Sequence, residues 1–238
     1  LNNIRCFIFI TVILMITRVD ANTRLYAYTE ALPPLQNVHQ GELIGGAAYE
    51  KVRDIVTLAG IETEFIVMPW ARAYQAALTN NNAILFSLVK TPEREPLFHW
   101  IKKVYFMRLY VMSLKKRNLT LSSLNDLKAY TTVVKRHDVV DIFLRARGFK
   151  NGKELITVRD TQATLDATLR GRNDIIIASP EIIEAVCTNA LCSPDDFTYH
   201  FEIKELEQHF YLATSKQLDS ALLNQLKQAA DSLPSFTH

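Results

Sequence analysis

The chain of 238 residues is 48% hydrophobic and 22% charged, a balance that suits a globular protein and excludes disordered, fibrous and multi-span membrane chains. Its 27 Lys+Arg against 25 Asp+Glu leave a formal charge of +2, too little for a field of one sign that would draw it onto nucleic acid or acidic lipid. The whole chain holds 7 glycines, against a usual share of ~7%, so glycine-rich phosphate cradles have few places to form.

Arg5 precedes an apolar run from Cys6 to Ile16, too short to cross a bilayer as a helix and suited to the core of a secretory signal. Val19-Asp20-Ala21 then places small residues at the −3 and −1 positions of a cleavage site. Residues 1–21 are therefore expected to be a signal peptide, and the mature protein to be exported. The other reading of this run is a buried strand or core helix. Beyond it two of the three cysteines remain, Cys187 and Cys192. In an oxidising compartment that pair reads as a small-loop disulfide at the end of a helix, with two free thiols as the alternative.

Taken in chain order, Arg24–Glu30 reads as a strand and Glu42–Ala59 as a helix stopped by Gly60. Thr63–Pro69 follows as a strand, Ala71–Thr79 as a helix and Ala83–Val89 as a buried strand. This β-α-β-α-β order implies parallel strands with helices on both faces. Thr91, Pro92 and Glu93 have the pattern of a helix start directly after the third strand. A strand-like stretch, Lys103–Leu114, leads into a second unit. It comprises a short helix at Leu124–Lys128, a strand at Thr131–Lys135, a helix at Val139–Arg147, a strand at Glu154–Val158, a helix at Gln162–Leu169 and a strand at Asp174–Ala178. The strand His209–Thr214 and the amphipathic helix Asp219–Leu233 close the chain. No Pro/Gly/Ser-rich linker separates the two units, which favours two lobes joined by strands over separate beads.

The chain contains no G-x-S-x-G, H-E-x-x-H, C-x-x-C, Walker or G-x-G-x-x-G motif. Its 6 histidines show no spacing that sets two on one helix face as metal ligands. No catalytic constellation, metal site or cofactor is expected. The informative segment is Ser87–Trp100, SLVKTPEREPLFHW. In an open α/β sheet ligands bind beyond the carboxyl ends of strands, and Arg94 stands where a guanidinium can grip a carboxylate with two parallel bonds. Pairing of Arg94 with Glu93 or Glu95 on a solvated face is the competing reading.

The order RLYAYTEALPPLQ, then a G-E-L-x-G turn (Gly41–Gly45), MPWARAYQAAL, FSLVKTPEREPLFHW, SSLNDLKAY and LRGRNDIII resembles the extracellular solute-binding proteins of family 3. Those are the periplasmic type II binding proteins of ABC importers. The resemblance spans essentially the whole mature chain, and its most specific pieces are TPERE with the downstream FHW and the P-W-x-R-A segment. It implies an α/β, periplasmic binding protein-like type II fold, with two α/β lobes joined by a two-strand hinge and a ligand cleft between them. Lobe one would comprise 22–107 plus 207–238, and lobe two 108–206.

By the same resemblance the protein would be a periplasmic monomer without cofactor. It would take a small polar, carboxylate-bearing solute, such as an amino acid, and hand it to an ABC permease. Arg94 matches the arginine of the family's T-x-E-R motif, which holds the ligand carboxylate. Ser87 and Glu30 fall at strand ends that face the ligand, and Trp70 and Tyr74 supply an aromatic wall, though each is equally readable as an ordinary core aromatic. In lobe two, Arg136 and His137 stand in the anion-cradling loop, where His137 also reads as a surface residue. Ser179 replaces the aspartate that usually pairs with an α-ammonium, and Val89 replaces a small hydroxyl residue. Two other roles remain open on this fold: a sensory module that presents its closed form to a membrane receptor, and an enzyme resembling cyclohexadienyl dehydratase with Glu30 as acid/base group.

Overall fold

A computed structural model describes residues 24–188, 192–206 and 208–234. The expected signal segment lies outside the described residues. Among the described residues, no helix is long and apolar enough to cross a membrane.

The first lobe begins with β1 (Leu25–Thr29). A polar hairpin follows, β2 (Asn37–His39) and β3 (Glu42–Gly45), and then α1 (Ala47–Leu58), β4 (Thr63–Val67), α2 (Trp70–Thr79), β5 (Ala83–Val89) and β6 (Phe98–Met107). The second lobe holds β7 (Tyr110–Leu114), β8 (Thr132–Lys135), α3 (Val139–Ala146), β9 (Leu155–Val158), α4 (Thr161–Leu169), β10 (Ile175–Ala178), α5 (Pro180–Thr188) and β11 (Phe197–Glu202). The chain then returns to the first lobe as β12 (Gln208–Ser215) and α6 (Ser220–Ser232).

The two sheets have five strands each, in the orders β4-β1-β5-β12-β6 and β11-β7-β10-β8-β9. In the first, β4, β1 and β5 run parallel and β12 lies antiparallel between β5 and β6. In the second, β10, β8 and β9 are parallel while β7 and β11 are antiparallel. This is a type II periplasmic binding protein-like architecture. The chain crosses between sheets twice, after Met107 and after Glu202, and the crossings are tied together. Ile203 N donates to Leu109 O over 2.9 Å, and Arg108 pairs with Glu202 at 3.7 Å.

In the first lobe α1 and α6 share one side of the sheet, and α2 packs on β1 and β5 from the other. Parallel strands covered on both faces need apolar residues at every position, and β5 is such a run. Ala83 and Leu85 point into the α2 side, Ile84 and Phe86 into the other. Leu88 faces the α2 side as well, so the alternation slips by one residue at Ser87. The slip is a β-bulge: Leu85 and Leu88 pair with Ala213 and Tyr211, leaving two β5 residues against Leu212 alone. Ser87 carries the strain, with a left-handed φ of 58°.

Four expectations from the sequence are corrected. The helix expected over Glu42–Ala59 starts at Ala47, because the Gly45-Gly46 pair breaks it and Glu42–Gly45 pairs with β2. No helix grows from Thr91. Thr91 Oγ1 accepts from Arg94 N at 3.3 Å and closes one turn, after which a 3-10 turn at Glu95–Leu97 passes straight into β6. The aromatic and β-branched run FHWIKKVYFM gains more as a partner of β12 than as a helix. Lys103–Leu114 is not one stretch, since β6 ends at Met107 and β7 begins in the other sheet. The short helix at Leu124–Lys128 is a 3-10 turn at Asp126–Ala129.

Gly46 is where the backbone itself requires glycine. Its φ is 119°, and a Cβ there would lie 2.6 Å from the Leu35 carbonyl carbon and 2.9 Å from Gln36 N. Gly46→Ala is expected to cost on the order of 3 kcal/mol, through strain and collision with backbone that cannot yield. A denaturant titration at unchanged m-value measures it.

Cys187, buried at the end of α5, is bonded to Cys192 with a Cα–Cα distance of 5.0 Å.

Candidate functional site

Between the lobes lies an inner space of about 60 Å³. A water needs ~10–15 Å³ of such space, so it holds on the order of five waters. Its polar wall is made by Glu30, Ser87 and Arg94 from the first lobe and Lys135, Asp138 and Thr161 from the second; Trp70, Leu32, Leu109 and Val133 are among its apolar members. A larger groove of about 960 Å³ opens toward the β2–β3 hairpin and shares Glu30, Thr161 and Val186 with the inner space.

The polar groups stand at carboxyl ends of parallel strands and at amino ends of helices, where an α/β sheet collects ligands. Glu30 follows β1, Lys135 ends β8, and Thr161 opens α4. Asp138 caps α3, accepting from Val139 N at 2.8 Å, and Asp160 caps α4, accepting from Ala163 N at 2.8 Å.

Arg94 is 4% exposed. Its guanidinium lies 5.5 Å from the Trp70 ring centroid and 5.2 Å from that of Tyr74, within the range of cation–π attraction. One nitrogen donates to Val89 O at 3.2 Å and the other to His137 O at 3.3 Å, across the lobe boundary. Trp70 Nε1 donates to the same His137 carbonyl at 3.4 Å. That carbonyl is aimed across the cleft by a left-handed backbone, φ 59° at His137, and the turn is held by His137 N donating to Asp141 Oδ2 at 3.0 Å. Burial pulls the Arg94 guanidinium below its ordinary pKa, opposed first by the Asp138 carboxylate.

A second link crosses between the lobes. Lys135 Nζ donates to Glu30 Oε1 at 2.6 Å, with side-chain exposures of 11% and 5%. Burial pushes the Glu30 carboxyl above its ordinary value of 4.5, and the Lys135 ammonium offsets only part of that. Burial works against the Lys135 ammonium too, but Glu30, Asp138 and Asp160 together hold it charged. Among the described residues, buried side-chain polar atoms without a hydrogen-bond partner include Glu30 Oε2 and Thr161 Oγ1, both on residues that line the inner space, and Gln36 Oε1. Gln36 reaches the site by donating through Nε2 to Ser87 Oγ. A buried, unpaired polar group costs ~1–3 kcal/mol, and Glu30 Oε2 and Thr161 Oγ1 are on residues that line the space, where a solute can meet them.

A pKa higher in the closed protein than in an open or unfolded one means that Glu30 contributes stability that is complete below 4.5 and is lost as the pH rises through its raised value. Lys135, shifted upward from 10.5, contributes stability that is complete below 10.5 and is lost only as the pH rises through its raised value in the alkaline range. The melting temperature of wild type minus that of Glu30→Gln is therefore expected to grow more positive as the pH falls from 7 toward 4.5.

The candidate residues thus divide. Glu30, Ser87, Trp70 and Arg94 meet at the inner space. Tyr74 stands behind them, its ring 6.1 Å from Trp70 and 5.7 Å from Phe98. His137 contributes its carbonyl, while the residue as a whole is exposed, as is Arg136. Ser179 is fully buried and caps α5, its Oγ accepting from Ile182 N at 3.2 Å. Lys135, Thr161 and Gln36 were not singled out from the sequence. The strand-end rule applied to β8 would have found Lys135 and the Asp160 cap would have found Thr161, whereas nothing local marks Gln36. Among the described residues, no group of three or more His, Cys, Asp and Glu could hold a metal ion.

No protein-family model matches the chain, and no curated protein sequence does. Solved structures do match in fold. A histidine kinase sensor domain with similarity to periplasmic binding proteins superposes with a TM-score of 0.75 at 16% identity, over 88% of this chain and 89% of that one. An ancestral arginine-binding protein bound to arginine gives 0.74 at 18% identity, over 87% and 91%. An amino acid ABC transporter substrate-binding protein from Streptococcus pneumoniae, bound to L-arginine, gives 0.69 at 18%, over 87% of each. The fold is therefore that of the two-lobed binding proteins, shared by transport and sensory neighbours.

Proposed function

We propose that this chain is an extracytoplasmic solute-binding protein of the family 3 type, taking a small polar solute with a carboxylate between its lobes. The observation that carries this reading is the buried polar cluster in the cleft. Two cations, Arg94 and Lys135, face it from opposite lobes, and two unpaired polar atoms on lining residues, Glu30 Oε2 and Thr161 Oγ1, are left for a ligand to satisfy. The lobes, residues 22–107 plus 207–238 and residues 108–206, move as units about the paired crossings. A solute that contacts both lobes shifts the open–closed equilibrium by its extra affinity for the closed form. Arg94 anchors the carboxylate from lobe one, with Trp70 and Tyr74 holding the guanidinium in place.

In this reading residues 1–21 export the protein to the periplasm, and the closed monomer docks to an ABC permease. The similarity to a histidine kinase sensor domain supports a second reading, in which the closed form is presented to a membrane receptor. Adding amino acids, dicarboxylates and polyamines singly to the protein from Asn22 onward, and following thermal unfolding, tests the binding role. A ligand at 100 times its Kd adds about 2.7 kcal/mol to stability. At least one carboxylate-bearing compound should raise the midpoint, and a flat response across all of them counts against the proposal.

A further inference from the structure

We propose that the site takes short peptides by their carboxyl end: the carboxylate on Arg94, the amide next to it at the neck between the inner space and the outer groove, and the amino end in the groove. This rests on the binding reading above and names the substrate class for that site.

A carboxylate brought to Arg94 carries its α-nitrogen with it, and the wall decides the form in which that nitrogen fits. As a free ammonium it would stand among two cations, Arg94 and Lys135. The carboxylates there already have partners. Glu30 takes Lys135 at 2.6 Å, while Asp138 takes Val139 N and lies within electrostatic reach of both Arg94 and Lys135. As an amide the nitrogen is neutral and brings one N–H donor, with one carbonyl acceptor beside it. Glu30 Oε2 and Thr161 Oγ1 are buried without a partner, the one an acceptor and the other a hydroxyl that can donate. A secondary amide meets both at once.

Their place in the cleft matters as much. Glu30 and Thr161 line the inner space and also the groove of about 960 Å³ beside it, so a molecule bonded to them extends from one into the other. The inner space, about 60 Å³, has room for a carboxylate and a compact side chain. The next residue of an extended chain lies ~3.3–3.6 Å further along, in the groove. Ile44, 68% exposed, stands on the groove wall with Val38 and Met68, and Gln162 and Ala185 line it from lobe two. Among the described residues no Lys or Arg lines the groove. The charged residues that do are acidic, Glu30 and Asp160, and Arg159, which pairs with Asp160, is not in the lining. Both cations of the site thus stand at its inner end and the outer end is acidic, the polarity of a peptide that enters carboxyl end first.

Isothermal titration with matched sets tests the assignment. For alanine, serine and leucine in turn, the free L-amino acid is compared with the dipeptide that carries L-alanine on its nitrogen, with the N-acetyl derivative, and with the same dipeptide amidated at its carboxyl end. In at least one set the dipeptide is expected to bind at least 10-fold tighter than the free amino acid, the N-acetyl derivative to fall between the two, and the amidated dipeptide to lose at least 10-fold. Thr161→Val is expected to weaken the dipeptide at least 5-fold and to leave the free amino acid within 2-fold. Free amino acids that bind as tightly as the dipeptides in every set would overturn the assignment, as would an amidated dipeptide that binds undiminished. An N-acetyl derivative tighter than its dipeptide would overturn the peptide as the source of the amide, and the role of the acidic groove with it. A Thr161→Val variant that spares the dipeptide, or weakens both ligands equally, would overturn the amide at the neck; the wild-type comparison decides should this variant not fold. Silence of wild type toward every compound, together with a flat thermal response to every carboxylate, would overturn the binding reading and the assignment with it.

Discussion

Replacing Arg94 with alanine is expected to weaken binding of a carboxylate solute by about 100-fold, measured by titration calorimetry. Hydrogen bonds to charged groups contribute ~1.5–3 kcal/mol each, and a guanidinium supplies two to a carboxylate in fixed geometry. The loss does not stop at the ligand. Arg94 also bonds Val89 O and, across the cleft, His137 O, so its removal weakens the closed arrangement the ligand selects. Arg94→Lys is expected to recover only part of the affinity, because an ammonium has neither the planar fork nor the same stacking on Trp70 and Tyr74. An affinity unchanged by Arg94→Ala would remove Arg94 from the site.

The second large effect concerns closure without ligand. Removing one partner of a buried ion pair costs ~3–5 kcal/mol, because the other charge is left unpaired. The Glu30–Lys135 pair spans the lobes, so the orphaned charge can escape into water by opening the cleft instead of by unfolding the protein. Lys135→Met alone is therefore expected to raise the radius of gyration of the ligand-free protein in small-angle scattering, while its unfolding midpoint falls by less than the full cost of the broken pair. Combining it with Glu30→Gln removes both charges and should restore the wild-type radius. A single variant as compact as wild type would mean that the pair does not hold the lobes together.

Much of the lobe architecture was legible in the sequence. The β5 run AILFSLV could only be a strand covered on both faces, and it occupies the bounds expected of it. Glycines closed α1 and α3 where a left-handed residue was needed, at Gly60 and Gly148. Less visible were elements whose partners are distant or whose residues are polar. β2 and β3 pair across the Gln40-Gly41 turn with half-exposed side chains and carry no strong alternation. β11 is defined by β7, which lies far back in the chain. The split of Lys103–Leu114 depends on which sheet each half joins, a property of the assembled lobes and not of the segment.

The site divides along the same line. Arg94 and Ser87 could be singled out because the segment around them carries a motif, and Glu30 and Trp70 because they sit at strand and helix ends. Their partners could not be read in that way. Arg94 and Trp70 both bond a main-chain carbonyl, that of His137, which has no signature in side-chain identity. Lys135 and Glu30 are separated by 105 residues and meet across the boundary between the two sheets. Ser179, in a position that suggested ligand contact, spends its hydroxyl on the first turn of α5.

A crystal structure of the protein with a solute that stabilises it tests the central claim most directly. The solute is expected in the inner cleft, with its carboxylate on Arg94, an N–H or O–H donor on Glu30 Oε2, and contacts to Thr161 from the second lobe. A solute bound outside the space between the lobes, or in it without touching both Arg94 and Glu30, would contradict the account.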